Sequence, residues 1–254
     1  MDLTEIAGLS AAAFSAGAVN AVAGGGSLIS FPALLAAGYP AKTANVTNTV
    51  ALWPGYLGGS IGYRQELRRQ RRRISLLLAP TVLGAIAGSA ILLSTPGDAF
   101  KFIVPFLILF AVVLMIFQER LGELAAAHQL HTSNDDHVPL PLHIAMFLLA
   151  AYGAYFGGGL GILTLAAFSI LLPDDLQHSN ALKGMMSLLI NAVAVLYFAA
   201  FGPVEWGPAL LMAGTALAGG YLGVGLARRL GATRLRRAVI AYGITAAVVL
   251  LVRL

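Results

Sequence analysis

The stretch from 178 to 201 carries Asn180, Lys183, Ser187 and Asn191, spaced i, i+3, i+7 and i+11. On a helix, residues so spaced share one face. Lys183 lies within an apolar stretch, where an ammonium turned to lipid costs roughly 2.5 to 3.5 kcal/mol, so a bound anion or Asp174 and Asp175 are its expected partners. Snorkelling to the membrane interface is the alternative for a lysine this near a helix end. The matching stripe earlier in the chain is Asn45, Thr47, Asn48 and Thr49, in which Asn48 stands where Lys183 would. A site built on both stripes has one cation and is asymmetric.

Two glycine triplets, Gly24, Gly25, Gly26 and Gly157, Gly158, Gly159, lie 133 positions apart, and Pro40 and Pro173 share that offset. Backbone that leaves the helical ladder inside hydrocarbon must line a cavity or be covered by protein. A helix restarting at Ser27, or just after Gly159, aims free N–H groups and the positive end of its dipole at the preceding corner, and two facing ends make an anion site. Close helix packing is the competing role for such glycines. Asn20 and Tyr155 precede their triplets and could donate to oxyanion oxygens or bond a neighbouring carbonyl.

These residues must be held by membrane helices. The 254 residues are 58% hydrophobic and 11% charged, and mean hydropathy is +0.82. Apolar runs such as 74 to 93, 102 to 117 and 209 to 227 approach or match the roughly 20 residues that cross a bilayer. Asp2 and Glu5 precede the first apolar segment and no basic residue does, so it is expected to remain rather than to act as a cleaved signal. Cysteine is absent, which removes disulfides and thiolate chemistry.

Eleven of the 16 basic residues fall in two segments, 64 to 73 and 228 to 237, expected to be cytoplasmic loops. No aromatic residues interleave with the arginines as nucleic-acid binding would want, so a nucleic-acid partner is not expected. If both segments share a side, the 34 residues from 139 to 172 must start and end on one face, broken at the second triplet into a re-entrant hairpin. The stretch 6 to 39 has the same anatomy.

The expected fold is therefore all-α, in two halves. Residues 1–118 hold hairpin 6–39 and spans 44–63, 74–94 and 101–118. A polar cytoplasmic linker, 119–138, follows. Residues 139–254 hold hairpin 139–172 and spans 178–201, 207–227 and 235–253. Three crossings per half invert the second copy, a recurring transporter design with substrate near the midplane and alternating access by rocking. Small-xxx-small spacings such as Gly84/Gly88, Gly153/Gly157 and Gly219/Gly223 serve close packing.

His128, His131, His137, Asp135 and Asp136 read as a solvated linker before a weak metal site. His143 and His178 are candidates for proton coupling, with the coupling ion, proton or sodium, left open. No nucleotide, hydrolase or zinc-protease motif is present, so neither an enzyme nor a cofactor is expected.

The run Gly17, Asn20, Gly24, Gly25, Gly26, followed by Pro32, Gly38, Pro40 and Asn45, resembles the glycine-rich signature of the sulfite exporter TauE/SafE family, and Gly153 through Gly161 resembles its second copy. The second copy has Leu165 where Pro32 stands in the first. The resemblance implies a bacterial inner-membrane protein that moves sulfite, sulfoacetate or related organosulfonates. A membrane scaffold and a passive anion channel remain alternatives, and a homodimer is open.

Overall fold

The computed structural model describes residues 1–22, 25–127, 138–172, 176–230 and 232–252. The described residues form helices α1 (Leu3–Val22), α2 (Ser27–Ala36), α3 (Ala41–Gly62), α4 (Arg64–Arg69), α5 (Arg71–Ser94), α6 (Gly97–Ala127), α7 (Leu140–Tyr155), α8 (Leu160–Leu171), α9 (Leu176–Phe201), α10 (Trp206–Leu230) and α11 (Ala232–Val252). None of the described residues is in a strand.

Helix α1 starts earlier than its apolar run because Asp2 caps it, Oδ1 accepting from the Glu5 N–H and the Thr4 hydroxyl, each at 2.7 Å. Gly25 (φ +86°), Gly157 (φ +77°) and Gly159 (φ +74°) turn the chain at the two corners in left-handed conformations that cost a side-chain-bearing residue dearly.

Helices α3 and α9 pack on each other, and α3 also packs on α10 and α9 on α5. The most extensive contacts are crosswise: α1 lies on α10, and α7 on α5. Glycine makes both possible. A Cβ on Gly84 would sit 2.2 Å from the Phe147 carbonyl oxygen, and one on Gly219 would sit 2.0 Å from that of Phe14. Phe147 follows Phe14 by 133 positions and Gly219 follows Gly84 by 135, so a glycine meets a phenylalanine carbonyl in both crossings at similar offsets.

The ends of the hairpins are tied. The Tyr39 phenol donates to Glu5 Oε1 at 2.5 Å, joining the end of α2 to the start of α1. That bond to a carboxylate, with burial and the charges of Glu5 and Glu205 behind it, pushes the Tyr39 pKa up to about 12. At the same end the Glu205 N–H, which precedes α10, donates to Thr47 Oγ1 at 3.1 Å.

Gln70 Nε2, at the start of α5, donates to the His178 carbonyl at 3.0 Å, at the start of α9. Gly84 faces Phe147 and Gly88 faces Ala151, so α5 and α7 run parallel and begin at one end. The α7–α8 hairpin thus leaves from and returns to the Gln70 end. The α1–α2 hairpin opens at the Glu205 end. Between these ends lies α9, whose 26 residues span about 39 Å at 1.5 Å per residue.

Among the described residues, Arg71–Ser94, Gly97–Gln118 and His178–Phe201 are long and apolar enough to cross a membrane. Their outer faces carry exposed Leu83, Ile91, Phe102 and Leu196, which only lipid would solvate at this density.

Three expectations need correction. Residues 64 to 73 are not a loop but α4, a bend at Gln70 and the first turn of α5, while 228–230 end α10 and 232–237 begin α11. Arginine is a good helix former, so a basic segment need not interrupt a helix. The linker does not begin at 119, because α6 continues to Ala127 through Glu119, Leu121, Glu123 and Leu124, all strong helix formers. His128, His131, Asp135, Asp136 and His137, like Pro173, Asp174 and Asp175, lie outside the described residues.

Candidate functional site

The second corner is built from its backbone. The Gly157 N–H donates to the Tyr152 carbonyl at 3.2 Å, Leu160 N–H to the Gly157 carbonyl at 3.2 Å, and Ile162 and Leu163 N–H both to that of Gly159, at 3.0 and 3.2 Å. The Tyr152 hydroxyl donates to the Gly158 carbonyl. The N–H groups of Gly158, Gly159 and Gly161 have no partner among the described residues. They are the open first turn of α8, where the helix dipole is positive.

Lys183 is brought to this turn. Its Cδ lies 3.8 Å from where a Cβ of Gly161 would be, so the lysine stem runs alongside the first turn of α8. The ammonium donates to Asn180 Oδ1 at 2.9 Å, which leaves two of its three protons for another acceptor. From α3, Asn45 Nδ2 donates to the Tyr155 carbonyl at 2.9 Å, pinning the end of α7. The Tyr155 ring packs edge-on against Phe100 at 5.7 Å, and Phe156 against Phe31 of α2 at 5.7 Å.

The first corner comes to the same neighbourhood on α6. A Cβ on Gly25 would meet Met115 Sδ at 3.0 Å, and one on Gly159 would meet Leu114 Cδ1 at 2.8 Å. Gly24 lies outside the described residues. The first corner is more closed than the second, because Asn20 Oδ1 accepts the Gly26 N–H at 2.8 Å. Asn20 Oδ1 thus accepts from the backbone that leads into α2, which is neither of the donor roles expected of its side chain. The Ser27 N–H keeps no partner among the described residues, and its side chain is half-buried.

The polar stripes divide. Asn48 is 3% exposed and its Oδ1 has no hydrogen-bond partner among the described residues, one turn beyond Asn45 on the same face of α3. Thr47 is turned toward α10 and is occupied by the Glu205 N–H. Asn191 donates to the Ser187 carbonyl of its own helix at 2.8 Å, about 12 Å along α9 from Lys183 at 1.5 Å per residue. The structure thus gathers Gly157, Gly158, Gly159, Asn180, Lys183, Asn45 and the Tyr155 backbone, and places Thr47 and Asn191 in bonds of their own.

The model of the family described as Sulfite exporter TauE/SafE matches residues 9–250. The chain belongs to that family. Among relatives of the TauE/SafE protein is a "Probable membrane transporter protein" of Haemophilus influenzae, 29% identical over 89% of this chain and 87% of its own. Another, the "Probable membrane transporter protein YfcA" of Escherichia coli K12, is 27% identical over 86% of this chain and 77% of its own. The "Probable membrane transporter protein ORF9" of a Sinorhizobium species is 27% identical over 97% of this chain and 92% of its own. No solved structure matches it significantly. With its apolar helices, the TauE/SafE protein is a multi-pass membrane transporter.

A cavity of about 640 Å³ in this TauE/SafE protein lies elsewhere, between α1, α2 and α11, lined by Asp2, Glu5, Ser15 and Tyr242 among others. None of the predicted site residues lines it. Among the described residues no group of histidines and acids could hold a metal. His143 Nδ1 lies 3.2 Å from the Pro139 carbonyl near the start of α7, and His178 sits at the start of α9, so both stay at a helix end. Sequence reasoning missed Tyr152, which fixes the Gly158 carbonyl. Nothing in the sequence sets it apart from the other tyrosines.

Proposed function

We propose that this TauE/SafE protein is a secondary transporter that moves small sulfur-containing anions, sulfite, sulfoacetate or other organosulfonates, across the bacterial inner membrane by alternating access. The observation that carries the reading is Lys183 laid against Gly161, which adds a full positive charge to the unpaired N–H groups opening α8. Preorganised donors in a water-poor site favour an anion strongly, and tetrahedral sulfonate oxygens accept several N–H bonds at once. The family description supports the sulfur chemistry. Asn45 and Asn180 position the corner and the lysine, and Asn48 stands beside them on α3.

In this reading the halves are inverted repeats, the arginine segments face the cytoplasm, and one half rocks against the other around the corners. The glycine-lined crossings α1 on α10 and α5 on α7 each join one half to the other, so rocking must slide or open these two contacts together.

Counterflow in proteoliposomes tests the substrate. Internal sulfite or sulfoacetate should drive uptake of labelled sulfite, while a carboxylate of equal charge competes weakly. Equal competition by the carboxylate, or no counterflow with any sulfur anion, defeats the assignment. The orientation has its own test, helped by the natural absence of cysteine. Cysteines placed singly at Leu140, His178 and Arg71 should react with an impermeant maleimide from the cytoplasmic face, and one at Leu3 from the outer face. Labelling of Leu140→Cys and His178→Cys from different faces rules out the re-entrant hairpin.

A further inference from the structure

We infer that the arginine elbow formed by α4 and the first turn of α5 is a binding site for the phosphate headgroup of an anionic phospholipid. Between Arg64 and Arg73 stand six arginines and one acid, Glu66. Arg64, Arg68, Arg69, Arg71 and Arg72 are exposed, whereas Gln70 and Arg73 are buried and Leu67 is half-buried. The elbow therefore has two faces. The buried one docks on α9, which α4 contacts, and the Gln70 amide bonds the His178 carbonyl there at 3.0 Å.

On the other face, Arg64, Arg68, Arg69 and Arg71 have neither a hydrogen bond nor an ion pair among the described residues. Guanidinium groups held this close by a folded helix repel one another unless a counter-charge joins them. A signal that merely fixes orientation needs no folded element. Here the chain folds an extra helix against α9, and no helix stands at the matching place between α9 and α10, where residues 202–205 connect the two.

The position selects the ligand. Just beyond Arg73, α5 becomes a membrane helix, so the guanidinium groups lie at headgroup depth, where their planar forks match phosphate oxygens. Below them on α5, Leu76 and Leu78 are each 42% exposed and offer acyl chains an apolar wall. A free phosphate would use the first feature and gain nothing from the second. Basic clusters directly beside a span attract anionic lipid in this way. Through Gln70 the headgroup site lies one bond from the turn leading into Asn180 and Lys183.

The test uses the full chain purified in detergent, with thermal stability measured and bound lipid counted by native mass spectrometry. Phosphatidylglycerol should raise the melting temperature by several degrees and remain bound, whereas phosphatidylcholine and inorganic phosphate should do neither. The R64Q/R68Q/R69Q/R71Q variant should lose both effects, and R234Q/R237Q, on α11, should keep them. If the quadruple variant does not fold, R68Q/R69Q decides, with about half of the shift lost since the arginines act additively at the surface. Full retention of the shift in the elbow variants, an equal shift with phosphatidylcholine or phosphate, or no shift in the unmodified protein overturns the site.

Discussion

Lys183→Met is expected to slow sulfite counterflow by about 10- to 150-fold, the factor that follows from losing a charged hydrogen bond worth about 1.5 to 3 kcal/mol. Methionine keeps the length and apolar character of the lysine stem, so the path beside Gly161 stays filled. Removing the ammonium also removes the cost of holding a charge in a hydrocarbon setting. Stability should therefore stay level or rise while flux falls, a combination that a folding defect cannot produce. The unpaired acceptor left on Asn180 works modestly against this gain. Rates are to be normalised to folded protein, with Lys183→Arg expected to fall between the two, since it keeps the charge but carries a wider, planar head than the ammonium bonded to Asn180. Undiminished flux in Lys183→Met would remove the electrostatic part of the proposed mechanism and leave only the backbone donors of α8.

The features that could be read from the sequence are those fixed by neighbours in the chain. The two corners are an example: a left-handed turn is a local requirement, only glycine meets it cheaply, and the triplets mark both places. The membrane helices follow from composition for the same reason. Lys183 stood out because a charge in an apolar run must find a partner somewhere. Which partner could not be read, since Asn180, Asp174 and Asp175 are all within reach along the chain and the choice depends on how α9 is rotated. The bond from Asn45 to Tyr155, which are 110 positions apart, is likewise invisible in the sequence, as is the bond that holds Thr47 to the Glu205 N–H. The charge of the arginines at 64 to 73 points to a loop and hides the helical elbow they form. The same residues are good helix formers, and the Gln70 bond to the His178 carbonyl of α9 is a tertiary fact that overrides the exposed character of the segment.

Gly84→Ala and Gly219→Ala should each destabilise the protein by about 3 kcal/mol or more, at the upper end of what overpacking costs. The new methyl carbon would lie 2.2 Å from the Phe147 oxygen in the first case and 2.0 Å from the Phe14 oxygen in the second. Both obstacles are main-chain atoms within helices, so no rotamer change relieves the clash. Relief requires the helix axes to separate, and separation forfeits dispersion along the two most extensive contacts in the molecule. Gly214→Ala is the control on α10: nothing lies within 4 Å of its added carbon, and alanine gains up to about 1 kcal/mol over glycine inside a helix. Melting temperatures in detergent should thus fall for Gly219→Ala and hold or rise for Gly214→Ala, five positions away on the same helix. In the proposed arrangement of two repeated halves Gly84 and Gly219 occupy matching places, so their losses should agree within about 1 kcal/mol. A severe loss at one and none at the other would break the correspondence on which rocking about two equivalent contacts depends, even if the anion still binds beside Lys183.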